Sequence, residues 1–255
     1  MLRKRIIFAL IHSNGYFMQS RNFRLQKVGD ISWLEKNYKF KEIAEFVDEL
    51  IVIDATKGHK DKEKFHRVVS RLVEGVFIPV TAGGGVESTL DAEALFNSGA
   101  DKVMVNTSIY YRRDVVKDII SKYGSQSVVA SVDYKLMDDQ VVLYSRDGSN
   151  KEEITLDDYI KIVHDLGVGE IYFNSINKDG TGFGYDVDII NSYSNKFTMP
   201  LIVAGGAGNE KHLHEAINVE NVEAVATANL FNFVGNGLPN ARKYLLDNSV
   251  NLARW

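Results

Sequence analysis

Eight short runs of apolar residues recur along the chain at near-even intervals, at 6–10, 50–53, 78–82 and 102–105, then at 128–132, 170–173, 200–203 and 223–226. Their apolar residues are nearly continuous and do not alternate with polar ones, which predicts strands buried on both faces, as in a parallel sheet. Between most of them the pattern takes the period of a helix. Over 60–74 the apolar Phe65, Val68, Val69, Leu72 and Val73 fall at i, i+3, i+4, i+7 and i+8, one stripe to lay on a sheet. Thr155 is placed to cap a helix over Leu156–Leu166, and Gly167 to stop it. Pro79 and Pro200 stand at strand starts, where a missing N–H costs least. Two apolar runs around Asp138-Asp139, within 134–145, predict a hairpin inserted after the fifth strand.

Strand and helix alternating eight times predict an α/β fold, a (β/α)8 barrel occupying 1–255 as one domain. The expected half-barrels, about 1–124 and 125–255, meet near Tyr123-Gly124, and an open eight-stranded sheet is the alternative. The halves echo each other. Ile78-Pro79-Val80-Thr81-Ala82-Gly83-Gly84-Gly85 is answered by Met199-Pro200-Leu201-Ile202-Val203-Ala204-Gly205-Gly206, the prolines lying 121 residues apart. Each copy is a strand ending in glycines, which let backbone N–H groups approach a phosphate. Gly84-Gly85 is followed by Asn106-Thr107-Ser108 and Gly205-Gly206 by Ala228-Asn229, segments expected to open helices whose free N–H groups favour an anion. Gly84, Gly85, Asn106, Thr107, Gly205, Gly206 and Asn229 are thus candidate phosphate ligands, and two cradles suggest a ligand with two phosphates. A lone glycine triplet would be only a tight turn; repetition in matching positions carries the inference.

Composition narrows the function classes. The chain has 255 residues, 45% of them hydrophobic, and no linker-like stretch. A net charge of −4 and a pI near 5.9 argue against nucleic acid as a partner, because phosphate backbones are held by clustered Lys and Arg. Arg3-Lys4-Arg5 and the apolar 6–11 have the look of a secretory leader, but the run is short and no small-residue cleavage site follows. No run reaches the roughly 20 apolar residues of a membrane span, so no membrane partner is expected. The absence of cysteine excludes disulfides and thiolate metal sites and suggests the cytoplasm. His212 and His214 would not share a helix face, so no metal site and no cofactor are expected.

In a barrel of this kind the active site lies at the carboxyl ends of the strands. The candidates there are Asp54, Asn106, Thr107, Asp133, Asn174, Ser175, Asp179, Thr181 and Asn229, with Asp54, Asn174, Asp179 and Thr181 the expected substrate contacts. Asp133, ending an apolar run, is the candidate general acid or base; the alternative is a carboxylate that caps its strand or orders the hairpin. Among the histidines only His12 lies near that end. At the opposite end Arg5, Glu49, Lys102 and Glu170 flank strand starts, where charges are ordinarily solvated or in rim ion pairs.

Several motifs, spread in order over essentially the whole chain, then resemble one family. They are Leu2, Lys4-Arg5-Ile6-Ile7, Gly83-Gly84-Gly85, Ala100-Asp101-Lys102-Val103, Gly124-Ser125-Gln126, Ser175-Ile176 with Asp179-Gly180-Thr181, Gly184-Tyr185-Asp186 and Gly205-Gly206-Ala207-Gly208. Together they resemble the cyclase subunit of imidazole glycerol phosphate synthase. The resemblance implies a (β/α)8 barrel that docks a glutaminase subunit on its N-terminal face and passes ammonia through the barrel to a bisphosphorylated substrate. It places an ammonia gate on Arg5, Glu49, Lys102 and Glu170, docking positions on Asp101 and Gln126, and the retained catalytic carboxylate on Asp133.

The departures are informative. The family's first catalytic aspartate is Ile11 here, an aspartate of the first loop is Asn14, and that loop's mobile lysine is Gln19. Serines that help hold one phosphate are Ala204 and Asn229. His12 is no substitute for the acid at position 11, because strand neighbours point to opposite faces. Ile11 and Lys27-Val28-Gly29-Asp30 resemble a divergent second copy of the subunit, associated with amidation of surface-polysaccharide sugars alongside a glutaminase-like subunit and a separate amidotransferase. The expectation is an ammonia-conducting barrel whose acceptor is a sugar nucleotide or related phosphorylated sugar. The alternatives are a lyase/cyclase of histidine biosynthesis and a non-catalytic activator of the glutaminase; a single-chain sugar-phosphate isomerase would need no gate.

Overall fold

The computed structural model describes residues 3–38, 45–229 and 236–253. The chain begins with β1 (Arg5–Ser13), a hairpin of β2 (Tyr16–Arg21) and β3 (Arg24–Gly29), α1 (Ile31–Tyr38), β4 (Glu49–Asp54), α2 (Lys62–Glu74) and β5 (Val80–Gly83). It continues with α3 (Thr89–Asn97), β6 (Lys102–Val105), α4 (Thr107–Tyr111), α5 (Arg113–Tyr123), β7 (Val128–Met137), β8 (Gln140–Ser145), β9 (Asn150–Lys151) and α6 (Leu156–Leu166). The last elements are β10 (Glu170–Ser175), α7 (Val187–Tyr193), β11 (Leu201–Ala204), α8 (Glu210–Ile217), β12 (Val222–Thr227) and α9 (Gly237–Asp247).

Every predicted strand is present, and the open-sheet alternative is excluded. The parallel order β10-β11-β12-β1-β4-β5-β6-β7 returns on itself because β7 pairs with β10, closing a (β/α)8 barrel. The third and seventh strands start just after Pro79 and Pro200. Each proline lacks an N–H, yet its carbonyl serves the ladder: Leu50 N donates to Pro79 O (2.9 Å) and Ile171 N to Pro200 O (3.0 Å). Leu50 and Ile171 are themselves 121 residues apart, so the half-repeat extends to individual hydrogen bonds.

The helices form where the sequence signals them. Asp61 caps α2 by accepting from Lys64 N (3.0 Å), and Phe65, Val69 and Leu72 are its buried stripe. Thr155 caps α6 through Asp158 N (3.1 Å), and Gly167 ends it in the left-handed conformation at φ 73°. One core lies between barrel and helices; a second fills the lumen with Ile7, Ile51, Met104, Val129, Tyr172 and Ile202. Ala9, Ala204, Ala224 and Ala226, on the neighbouring strands β1, β11 and β12, leave lumen space beside these larger residues.

The expected hairpin after the fifth strand is the β7–β8 pair, turned at Asp138 and Asp139 with φ 48° and 59°. A second hairpin, β2–β3, is not anticipated by the apolar pattern. It turns at Asn22 and Phe23, φ 51° and 61°, while the Asn14-Gly15 turn, φ 52° and 87°, a strong two-residue hairpin signal, joins β1 to β2. Its tip packs on the loop after β10, where Asn22 N donates to Asp179 O (2.9 Å) and Asn22 Nδ2 to Asn177 O (2.7 Å). Among the described residues no helix is long and apolar enough to cross a membrane.

Near the N-terminal end of the barrel Arg242 of α9 forms a bidentate pair with Asp48 (3.0 and 3.1 Å), and Asp48 also accepts from Ile6 N (2.8 Å). Both side chains are buried, so removing one strands the other charge away from water. Arg242→Met is expected to lower stability by about 3–5 kcal/mol, read by urea denaturation.

Candidate active site

Strand geometry sorts the candidate residues. On β1 the alternation sends Arg5, Ile7, Ala9 and Ile11 into the lumen and His12 outward, as expected from the parity of neighbours. His12 is buried against Phe65 (ring centroids 5.3 Å) and Phe17 (6.0 Å), accepts from Gly15 N (3.1 Å) and faces Asp54 Oδ1 (3.5 Å). The same parity puts Glu170, Tyr172 and Asn174 of β10 in one lumenal file.

At the carboxyl ends of the strands a cavity of about 850 Å³ opens, floored by Ala9, Met104 and Tyr172 and walled on one side by Gln19, Ser20 and Phe23 of the β2–β3 hairpin. Asp133 of β7 projects into it. Asn174 Nδ2 donates to Asp133 Oδ1 (2.9 Å) and Asn106 Nδ2 to Oδ2 (3.0 Å). Burial pushes the carboxyl up to about 7; the Asn174 hydrogen bond opposes that rise, and the carboxylates of Asp147 and Asp179 add to it. Two fixed amides and a near-neutral pKa give a group that both accepts and releases a proton at neutral pH. Ile11 lines the same cavity and supplies no proton.

Gly84, Gly85, Asn106, Thr107, Gly205, Gly206 and Asn229 all border this one cavity. The glycines answer first to the barrel. A Cβ on Gly84 (φ 100°) would stand 2.2 Å from Asp54 O, and one on Gly205 (φ 88°) 2.5 Å from Ser175 O. Asp54 and Ser175 are 121 residues apart, so each turn crosses the end of the preceding strand in the same way. The helix expected at Asn106-Thr107 is α4, only five residues long. Ala228 and Asn229 are themselves not helical, and the helix expected to open from them falls on 230–235, which lie outside the described residues.

Two expected substrate contacts are turned elsewhere. Asp54 follows Ile53, which lines the cavity, so its carboxylate points away and accepts from Thr56 N (3.0 Å) and Oγ1 (2.6 Å). Burial raises its pKa, but the facing His12, the hydrogen bonds from Thr56 and the charge of Lys60 outweigh that and leave it lowered. Thr181 does not line the cavity, and its hydroxyl donates to Lys178 O (2.7 Å) in the loop after β10. Asp179 does line it, yet its carboxylate is held by Ser20 Oγ and by Phe23 N (3.0 Å), fastening the hairpin. Sequence reasoning missed the cations Lys57, Lys60, Arg112 and Arg146, which also line the cavity. The loop-after-strand rule that selected Asp54 reaches Lys57 and Lys60; Arg146 required knowledge of how the β7–β8 hairpin folds back.

At the other end of the lumen four charges from four strands alternate in sign. Arg5 binds Glu49 (2.8 Å) and Glu170; Lys102 binds Glu49 (3.1 Å) and Glu170 (2.6 Å). Thr81 Oγ1 donates to Glu49 Oε1 (2.6 Å), so Glu49 is fully engaged and buried. Burial raises the Glu170 pKa, but Arg5 and Lys102 overcome it and hold the carboxyl below its ordinary value. Ile7, Ile51, Val129, Ile202 and Ala224 are the lumenal residues that line neither this ring nor the cavity. Asp101 and Gln126 are exposed on the same face as the ring; Asp101 Oδ2 accepts from Val80 N (2.8 Å) and Gln126 Nε2 donates to Tyr123 O (3.3 Å). Among the described residues no three His, Cys, Asp or Glu gather as metal ligands.

Comparison with known proteins agrees with this architecture. Residues 6–235 match the family described as histidine biosynthesis protein. The chain is 42% identical over 256 residues to a Parasynechococcus marenigrum protein provisionally named imidazole glycerol phosphate synthase subunit hisF2, covering 100% of this chain and 95% of the relative. It is 34% identical to the imidazole glycerol phosphate synthase subunit HisF of Chlorobium limicola, over 98% of each chain. Against the same-named subunit of Pyrobaculum aerophilum the identity is 35% over 92% of each.

The raised pKa of Asp133 has a thermodynamic consequence. Its native value lies above its unfolded one, so its contribution to stability is fully present below the unfolded value and is lost as pH rises through about 7. Asp133→Asn, which keeps the shape and removes the charge, is expected to flatten the decline in stability between acid and mildly alkaline pH, read by urea denaturation at several pH values.

Proposed function

The chain belongs to the histidine biosynthesis protein family, with the HisF subunits of imidazole glycerol phosphate synthase among its relatives, and on that footing we propose that it is the barrel subunit of a glutamine amidotransferase complex. In this reading a glutaminase subunit docks on the N-terminal face at Asp101 and Gln126, and ammonia crosses the lumen to a phosphorylated ligand in the cavity. The acceptor is a sugar of a surface polysaccharide, carried as a sugar nucleotide or related phosphorylated sugar, with a separate amidotransferase as a further cytoplasmic partner.

The observation that carries the proposal is the contrast between the two ends of the lumen. The ring of Arg5, Glu49, Lys102 and Glu170 is complete and internally paired, whereas Ile11 stands in the cavity where the resemblance expects the partner of Asp133. Neutral ammonia is small enough to pass when one of the ring contacts opens. The apolar layer of Ile7, Ile51, Val129 and Ile202 disfavours ammonium, because a charge loses its hydration there. In the cavity Asp133 is the group placed to take a proton from the attacking nitrogen. The phosphorylated ligand sits between the turns at Gly84-Gly85 and Gly205-Gly206, within reach of Asn106, Thr107 and Asn229.

A second reading, the lyase/cyclase of histidine biosynthesis, is favoured by the retained Asp133 and the names of the relatives. The two are separated by turnover of the bisphosphorylated aminoimidazole precursor with added ammonium salts. The proposal expects little turnover from the wild-type chain and a gain of at least about 100-fold in Ile11→Asp, the scale of one positioned acid or base. Brisk wild-type turnover with no gain in Ile11→Asp would establish the cyclase instead.

Conduction is separated from mere activation of the glutaminase by narrowing the lumen. Ala224→Leu adds bulk above the ring at an overpacking cost of about 1–3 kcal/mol. With the glutaminase bound, glutamine hydrolysis is expected to persist while most of the nitrogen escapes as free ammonia. Transfer as efficient as in the wild type would sink the conduit.

A further inference from the structure

The cavity rim carries an aromatic ring that neither the core nor the proposed proton chemistry uses. Tyr111, the last residue of α4, is exposed and lines the cavity. Its hydroxyl donates to the Glu152 carboxylate (2.9 Å) and accepts from Asn150 Nδ2 (2.9 Å). Arg146, in the turn that follows β8, sets its guanidinium over the ring, 5.4 Å from the centroid. Among the described residues that guanidinium pairs with no carboxylate. Two polar partners and a cation thus hold one orientation of a side chain that solvent alone would leave to several rotamers. Glu152 is also bound by Ser145 Oγ and by Asn150 Nδ2 (2.8 Å), so the polar groups around Tyr111 are spent on one another. What the rim offers a ligand is a flat π surface beside a guanidinium plane, which suits a planar heterocycle better than sugar hydroxyls in need of hydrogen bonds.

Contacts already in place order this wall from the candidate acid outwards. Asp133 is bound by Asn106, the next residue Thr107 accepts from Arg146 N (3.2 Å), and Arg146 covers Tyr111. Thr107 and Tyr111 are four residues apart on α4, hence on one side of it and roughly 6 Å apart along its axis. Around Thr107 the wall is anion-binding. Lys60 lies so close to the Gly84-Gly85 turn that a Cβ on Gly85 would meet its Cδ at 2.9 Å, and Lys57, Arg112 and Arg146 line the same side. The acids there are Asp147, 3.4 Å from Lys60, and the exposed Glu87, so positive charge is in surplus. A carboxyl, a cationic stretch and a flat ring therefore follow one another from the cavity to its rim.

We propose that Tyr111 and Arg146 form a stacking subsite for a nucleobase, so that the ligand is a nucleoside phosphate: its base lies on Tyr111, its phosphate chain at the Gly84-Gly85 turn, and the rest of the molecule toward Asp133. This inference rests on the reading of the cavity as the ligand site, and within that reading it selects a nucleotide-linked ligand over a plain phosphorylated sugar. A further phosphoryl group at the Gly205-Gly206 turn is compatible with it.

Isothermal titration of the full chain with adenosine 5′-monophosphate, uridine 5′-monophosphate and ribose 5-phosphate tests it, because the three share a phosphorylated ribose and differ in the base. Both nucleotides are expected to bind at least about tenfold tighter than ribose 5-phosphate, adenine the more tightly for its larger face. Tyr111→Leu is expected to bring both down to the ribose 5-phosphate value. Tyr111→Trp, which restores a ring, is expected to keep the preference and to show indole fluorescence quenched by either nucleotide and not by ribose 5-phosphate. Equal affinity for all three compounds overturns the stacking subsite and leaves the cavity as a phosphate-ligand site. A preference for nucleotides that survives Tyr111→Leu overturns it as well. Binding of none of the three brings down the reading of the cavity and this inference with it.

Discussion

A strand in a closed barrel sends every second side chain into the lumen, and that parity governs what this protein is able to do. Along β1 it strings a cation, two apolar residues and an isoleucine into one file from the N-terminal mouth to the cavity. It excludes His12, one residue from the decisive position, which spends its ring on an aromatic pocket outside the lumen. It sends Asp133 inward and Asp54 outward, although both end apolar strands and both carry a carboxylate. Closure then brings lumenal residues from different strands into contact, as when Arg5 of β1 meets Glu170 of β10 across a separation of 165 residues.

The half-repeat separates what the fold demands from what the ligand demands. Gly84 and Gly205 make the same close approach to the strand before them, so their conformational freedom is required in both halves by the barrel alone. What differs between the halves at equivalent positions is free of that requirement. Thr107 against Ala228, and Lys60 against Thr181, share a backbone setting and differ in chemistry. The symmetry thus acts as an internal control on what the scaffold alone requires.

The strands were legible because continuous apolar runs have few other uses in a chain of this length, and the caps at Thr155 and Gly167 because their chemistry is local. The β2–β3 hairpin was not, since its residues alternate weakly and its position is settled by contacts with the loop after β10. The same distance in sequence explains Asp179: its type and place suggested a substrate contact, but Ser20 and Phe23 from the hairpin both bind its Oδ2 and tie the carboxylate to the hairpin. Thr181 misled for a different reason, its hydroxyl being consumed by a turn within its own loop. The pairing within the ring of four charges was unreadable from spacing, because its members come from strands spread over most of the chain.

That ring is a poor device for stability. Replacing a buried ion pair with packed apolar residues is commonly neutral or favourable, since two charges must leave water before they attract each other. A barrel mouth closed by four aliphatic side chains would satisfy the fold at least as well. Here each oxygen of Glu49 and Glu170 is instead matched to a donor, and Thr81 supplies one more. Such matching holds a polar opening at the head of an apolar lumen, with contacts that can part singly because each charge retains a second partner. A passage for a small neutral nucleophile needs those properties, and an inert plug needs none of them. With Ile11 at the far end, the proposed route would leave proton chemistry at its exit to Asp133 alone.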